Sequence, residues 1–337
     1  MKREEMKPRI IVDDNIPYIR GRLEAVADVV YTDQHGFTPD LVKDADALVI
    51  RTRTQCNEKL LKGSKVRLIA TATIGMDQID RDYCERAGIT VRNSPGCNAP
   101  GVAQYVWSGL LREGFDPKRD TLGIVGCGNV GSIVKEWGEK LGARVLVNDP
   151  PKASTGELTD TVDLETLLRE SDAVTLHTPL TKKGNWPTYH LIGERELGLL
   201  KKGGILVNAA RGPVVSQEAL KNRVREGGLR LIIDTWEYEP ETDKELLAQA
   251  RYATFHIAGY SRQGKERATR MVLEAVGEEF GLPVDITGLA ENYRPLESVT
   301  AEGIKASYDP GTDTAALRSA PESFDTLRRD YNYREEY

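Results

Sequence analysis

Three segments of this 337-residue chain place reactive side chains just beyond short apolar runs. Residues 206–212 (LVNAARG) end on Arg211, residues 233–240 (IDTWEYEP) carry Asp234 and then Glu239, and residues 255–261 (FHIAGYS) carry His256. Singly, each is ordinary: an arginine after a strand is usually in a surface ion pair, Glu-Pro is often only a turn, and a lone histidine is more often structural than catalytic. Together, a guanidinium, a carboxylate and an imidazole suit hydride removal from a carbon that bears a hydroxyl. An imidazole can accept the hydroxyl proton as the hydride leaves. A carboxylate on its other ring nitrogen fixes the tautomer and stabilises the charged ring, and a bidentate arginine can hold a substrate carboxylate.

A second constellation supplies the acceptor. Gly126-Cys127-Gly128-Asn129-Val130-Gly131 is a G-x-G-x-x-G that follows the apolar run 121–125 and opens a helical pattern. The first glycine permits a tight turn, the second lets the backbone approach a pyrophosphate, and the third lets helix and sheet pack closely. The helix N-terminus then offers free N–H groups and partial positive charge to the phosphates. Asp149 stands 23 positions after Gly126, directly behind VLVN. A carboxylate there accepts hydrogen bonds from the adenine ribose and repels a 2′-phosphate, so NAD is expected rather than NADP. The alternative is a flavodoxin-like domain that uses these glycines only for packing.

These residues need strands and helices to position them. Residues 9–12 (RIIV), 47–50 (ALVI), 68–71 (LIAT) and 89–91 (ITV) read as short strands, with helical pieces at 57–61 and 79–87. Residues 93–100 (NSPGCNAP) read as an interdomain crossing. An apolar helix over 102–111 and a second strand series follow, at 121–125, 144–147, 174–176, 204–207, 231–233 and 253–255. Helices at 130–141, 164–171, 194–200 and 217–226 fall between these strands. Strands alternating with helices give parallel sheets wound by right-handed crossovers. A helix over 267–280 follows, and beyond Gly281 the pattern weakens while aromatics multiply.

Composition narrows the classes. A net charge of −6 argues against nucleic-acid binding by bulk charge. No apolar run reaches the ~18 residues of a membrane span, and the charged start MKREEMKPR has no apolar h-region, so no secretory signal is expected. Four scattered cysteines without C-x-x-C spacing, apart from the four histidines, argue against a disulfide framework or a metal site. A cytoplasmic location is expected.

GCGNVG, HTPL (177–180), NAARG, DTWEYEP and HIAG occur in an order that resembles the D-2-hydroxyacid dehydrogenases, over nearly the whole chain. The resemblance implies two doubly wound, Rossmann-like α/β domains and a small C-terminal α+β dimerisation domain. Residues 1–95 plus 257–281 would form the substrate domain, 96–256 the NAD-binding domain and 282–337 the dimerisation domain. Arg211 would bind the substrate carboxylate, Glu239 would support the histidine, and His256 would be the acid/base. Asp149, Thr178, Asp234 and Gly259 would contact NAD with the 126–131 loop, while Thr52, Thr73 and Tyr260 would contact substrate. A small phosphorylated hydroxyacid is the expected substrate, with Arg51 and Arg53 as candidates for its phosphate or, equally, as solvated surface arginines. Another D-2-hydroxyacid such as 3-phosphoglycerate, or a non-enzymatic NAD-sensing scaffold, is the alternative. A homodimer is expected through the tail, because Tyr293, Tyr308, Phe324, Tyr331 and Tyr333 offer more aromatic surface than a short segment can bury on itself.

Overall fold

The structure, a computed structural model, describes residues 7–337. Residues 1–6, which bore on the secretory reading and begin the expected substrate domain, lie outside the described residues. The chain divides into two compact units, one comprising the chain up to Asn98 with Arg262–Tyr293, the other Ala99–Ser261 with Arg294–Tyr337.

The first unit holds β1 (Arg9–Asp13), β2 (Asp28–Thr32), β3 (Ala47–Ile50), β4 (Leu68–Thr71) and β5 (Thr90–Arg92) in the order β2-β1-β3-β4-β5, all parallel. β3 and β4 are buried at every position, as parallel strands covered on both faces must be, and they read as unbroken apolar runs. β2 is absent from the sequence reading: DVVYT is an edge strand with no fully buried residue, so it carries neither a full apolar run nor clean alternation. The helix Arg262–Phe280 packs Val272, Leu273 and Val276 against Ile10, Val12, Val49 and Ala70.

The second unit holds β6 (Thr121–Val125), β7 (Arg144–Asn148), β8 (Ala173–Leu176), β9 (Gly204–Asn208), β10 (Leu229–Ile233) and β11 (Tyr252–Ala253) in the order β11-β10-β9-β8-β6-β7. All are parallel. Strand order reverses between β6 and β8, and an open parallel sheet collects its ligands at the carboxyl ends flanking such a switch point. The expected doubly wound architecture is present in both units.

The helix Ala99–Arg112 is buried on every side from Ala99 to Leu110. Trp107 Nε1 donates to the Val134 carbonyl at 3.0 Å, and Tyr105 Oη lies 2.8 Å from Thr254 Oγ1. The C-terminal segment covers the rest: Ser108 Oγ donates to the Tyr308 carbonyl at 2.6 Å, and Gln104 Nε2 donates to Ser307 Oγ and to the Glu335 carbonyl, both at 3.0 Å.

The tail departs from expectation in three respects. Residues 282–293 lie with the first unit and 294–337 with the second, rather than forming a third body, and the return crossing falls after Ser261 rather than at 256/257. The tail is helical, not α+β: Ala301–Ser307, Pro310–Ser319 and Phe324–Arg329 are its α-helices, the first two capped by Thr300 and Asp309. Its aromatics are covered by their own subunit. Tyr308 and Phe324 are buried, Tyr331 meets Phe255 edge-on at 6.0 Å, and Tyr337 meets Trp137 at 5.4 Å. Aromatic surplus therefore gives no reason to invoke a second subunit.

Leu317 and Phe324 join one core with Leu246, Leu247 and Phe255. Leu317→Ala is expected to destabilise by about 2–5 kcal/mol and Phe324→Ala by about 3–5 kcal/mol. All four tryptophans (107, 137, 186 and 236) lie in the second unit, so urea denaturation followed by tryptophan fluorescence reads the effect. Wild-type midpoints in both variants would show that the tail is not part of that core.

Candidate active site

The glycine loop leaves β6 at the switch point. Gly126 has φ +90°, and a Cβ on Gly131 would lie 2.1 Å from the Gly126 carbonyl oxygen, so the turn closes only with glycine at both positions. A Cβ on Gly128 would meet open space. Gly128 also caps the helix Asn129–Leu141 without a side chain to take its first N–H groups, which leaves those donors for an anion; Asn129 and Val130 form the first turn. Across the switch point, after β8, the buried Thr178 Oγ1 has no hydrogen-bond partner. A cradle with open backbone and an orphaned hydroxyl fits the pyrophosphate and ribose of a dinucleotide.

Asp149 ends β7, as spacing predicts, and Oδ2 accepts from Cys127 N at 2.8 Å while Oδ1 accepts from Lys152 N at 3.1 Å. The carboxylate thus holds the second residue of the glycine loop and caps the helix Pro150–Thr155. Two of its ~four acceptor sites remain for ribose hydroxyls.

The proton-handling pair is assembled. His256 Nδ1 lies 2.7 Å from Glu239 Oε1, and His256 N donates to the Asp234 carbonyl at 2.8 Å. His256 has φ +59°, a left-handed backbone that non-glycine residues adopt only where surroundings enforce it. Burial raises the Glu239 carboxyl, but the hydrogen bond and charge of His256, then the charge of Arg328, outweigh it and hold it below the ordinary range. It is therefore an acceptor, and Nδ1 donates, leaving Nε2 for a substrate.

Asp234 is 1 % exposed. Its Oδ1 accepts from Thr254 Oγ1 at 2.6 Å and Ile257 N at 2.8 Å, and its Oδ2 accepts from Ala258 N at 3.0 Å. The resemblance assigns it to NAD; the structure gives it first the task of shaping the loop behind His256, with one acceptor site left on Oδ2. Gly259 and Tyr260 continue that loop.

Arg211 follows β9. Asn208 orders its backbone, with Nδ2 donating to the Arg211 carbonyl at 3.1 Å and Oδ1 accepting from Ala210 N at 3.2 Å. A Cβ on Gly212 would lie 1.9 Å from the Trp236 carbonyl oxygen, so glycine there lets the arginine loop abut the Glu239 loop. The guanidinium donates to the Ala210 carbonyl at 2.8 Å and has no carboxylate partner among the described residues. Thr52 and Thr73 belong to the first unit, beyond the carboxyl ends of β3 and β4. Thr52 is exposed, and Thr73 Oγ1 donates to the Gly75 carbonyl at 2.9 Å. Arg51 Nη1 donates to the Asn15 carbonyl at 2.8 Å, and Arg53 is exposed.

Two features escape a reading of the sequence. His190 Nε2 lies 2.7 Å from Glu237 Oε1, whose other oxygen accepts from Gln217 N at 2.8 Å, tying three loops together. Arg334, from the tail, aims its guanidinium at the His256 loop: Nη1 donates to the carbonyls of Ile257 at 3.0 Å and Tyr260 at 3.3 Å, and Nη2 to those of Gly101 at 2.9 Å and of Ala258. Its Nε donates to Gln104 Oε1 at 3.1 Å. No local signal marks it, because every one of these acceptors is more than 70 positions away in sequence.

Fold and cradle are those of an NAD-dependent dehydrogenase. A family model, the NAD binding domain of D-isomer specific 2-hydroxyacid dehydrogenases, matches residues 98–258. The chain is 46% identical to an erythronate-4-phosphate dehydrogenase of Bacteroides fragilis and 44% identical to one of Bacteroides thetaiotaomicron, each over 97% of both chains. An NAD+-bound crystal structure of 3-phosphoglycerate dehydrogenase from Entamoeba histolytica matches with TM-score 0.68 and 28% identity, covering 86% of this chain and 100% of that one. The chain belongs to the D-isomer specific 2-hydroxyacid dehydrogenase family, within it to the group of these erythronate-4-phosphate dehydrogenases, and its cofactor is NAD. Among the described residues no helix is long and apolar enough to cross a membrane.

Asp149→Ala removes the Cys127 N–H bond and the carboxylate expected to take the ribose, so binding of NAD and NADP should both weaken. Because repulsion of a 2′-phosphate also disappears, the NAD/NADP affinity ratio should fall by about tenfold or more. Titration of each cofactor against wild type and variant measures it; an unaltered ratio would detach this carboxylate from the ribose.

Proposed function

We propose that this enzyme oxidises 4-phospho-D-erythronate at its C2 hydroxyl to 2-oxo-3-hydroxy-4-phosphobutanoate, a reaction serving pyridoxal 5′-phosphate biosynthesis. The substrate is supported by the 46% and 44% identical relatives of that name, matched over 97% of their length. The observation that carries the chemistry is the 2.7 Å contact of His256 Nδ1 with an ionised Glu239. Bound NAD supplies the hydride acceptor. His256 Nε2 takes the C2 hydroxyl proton, and Glu239 stabilises the imidazolium that results. Arg211, without a carboxylate of its own, forms the bidentate pair that holds the substrate carboxylate. The 126–131 loop, Asp149, Thr178, Asp234 and Gly259 bind NAD, and Thr52, Thr73 and Tyr260 bind substrate. Cofactor reduction assayed with a panel of D-2-hydroxyacids that includes 4-phospho-D-erythronate tests the reading, which fails if another acid is clearly preferred.

The reading extends to a cytoplasmic homodimer formed through the C-terminal region. The location is supported by four buried cysteines, none of them disulfide-bonded. The surface proposed for the dimer is the open cleft of about 360 Å³ that Asp313, Leu327 and Asn332 line on the tail. Light scattering that finds a monomer at micromolar concentration would remove the dimer.

His256→Asn is expected to slow turnover by about 10²–10⁴-fold while NAD affinity stays near wild type. Glu239→Gln keeps the shape but not the charge that stabilises imidazolium, so it should cost turnover less than His256→Asn does. The double variant should lose far less than the product of the single losses, because the two groups act together. Near-wild-type turnover by His256→Asn, with chemistry rate-limiting, would take this histidine out of the reaction.

A further inference from the structure

Arg328 lies on the last turn of the helix Phe324–Arg329, half-buried. Its neighbour Arg329 is exposed and paired with Asp330 at 2.8 Å. Arg328 differs: its guanidinium makes no hydrogen bond and no ion pair among the described residues, and Nε is buried without any acceptor. A buried donor left without an acceptor is unfavourable and rare in native proteins. It lies over the face of Tyr260, with Cζ 5.6 Å from the ring centroid. Tyr260 itself is held edge-on by Tyr331 and Tyr333, both at 6.1 Å. The charge of Arg328 is also felt by Glu239, the carboxylate bonded to His256. The tail thus delivers an unsatisfied, preoriented cation to the edge of the proton-handling pair.

A substrate with anions at both ends requires two cationic anchors, and Arg211 serves the carboxylate. We propose that Arg328 is the specificity-determining anchor for the substrate's phosphate, its Nε and an Nη forming a side-on, two-pronged pair with two phosphate oxygens. That geometry is the one in which arginine binds phosphate most strongly, and it gives the buried Nε its missing acceptor. The inference rests on the phosphorylated-substrate reading and deepens it: the C-terminal segment, beyond the portion that matches the NAD binding domain, selects a phosphorylated hydroxyacid.

The test compares Arg328→Gln and Arg328→Lys with Arg329→Gln as the neighbouring surface control. Steady-state kinetics on 4-phospho-D-erythronate and on unphosphorylated D-erythronate give the discrimination ratio, and inorganic phosphate serves as a competitive inhibitor. Arg328→Gln should raise KM for the phosphorylated acid and Ki for phosphate by about 10- to 100-fold, collapsing the ratio. Arg328→Lys, which keeps the charge and loses the fork, should fall between, which also covers the case in which the glutamine variant fails to fold. Arg329→Gln should match wild type. If wild-type enzyme prefers a different hydroxyacid, the substrate reading fails, and the phosphate Ki still decides the role of Arg328. Wild-type KM and phosphate Ki in both Arg328 variants would overturn the proposal.

Discussion

Residues 257–260, the loop behind the histidine, are gripped by two opposite charges. The buried Asp234 carboxylate takes the N–H groups of Ile257 and Ala258, and the Arg334 guanidinium takes the carbonyls of Ile257, Ala258 and Tyr260. A loop inside a protein must find partners for both its donors and its acceptors; here a carboxylate and a guanidinium satisfy one set each. The left-handed backbone of His256 is held in that setting, because the segment on its C-terminal side is fixed by hydrogen bonds to both its donors and its acceptors. Orientation of the imidazole against Glu239 follows from this clamp.

The clamp reaches across the chain. Arg334 can act only if the tail lies against the helix Ala99–Arg112, and that helix, buried all round from Ala99 to Leu110, bonds its Gln104 and Ser108 to the tail. Packing and the shape of the candidate site are therefore served by the same segment: Leu317 and Phe324 hold it to the sheet, Arg334 shapes the loop, and Tyr331 and Tyr333 frame Tyr260. Loosening the tail would loosen the His256–Glu239 pair, although among the described residues no tail residue hydrogen-bonds to His256.

The cofactor cradle is more local. β6, the glycine turn and the start of the next helix form one continuous stretch, and Asp149 closes the cradle from the neighbouring strand by taking the Cys127 N–H. Asp149, the residue proposed to bind the ribose, thus also fixes the turn proposed to hold the pyrophosphate. The unpartnered Thr178 hydroxyl marks the same edge of the sheet from the other side of the switch point.

Much of this was legible in the residues themselves. The buried central strands declare themselves as apolar runs because a parallel sheet covered on both faces admits little else. The glycines declare themselves because Gly126 and Gly131 leave no room for a Cβ, and Asp149 by its fixed distance behind them. Arg211, Glu239 and His256 each lie on the loop that follows a strand. The edge strand β2 was not legible, since partial exposure erases the pattern that burial writes. Nor were the Arg334 clamp, the placement of Arg328 over Tyr260 or the tail's covering of the helix Ala99–Arg112. Those depend on contacts between residues more than 60 positions apart, where the side chains in question look like the solvated charges and surface aromatics of any polar segment. Local chemistry identifies what must touch a ligand; only the folded chain decides which distant charges hold it in place.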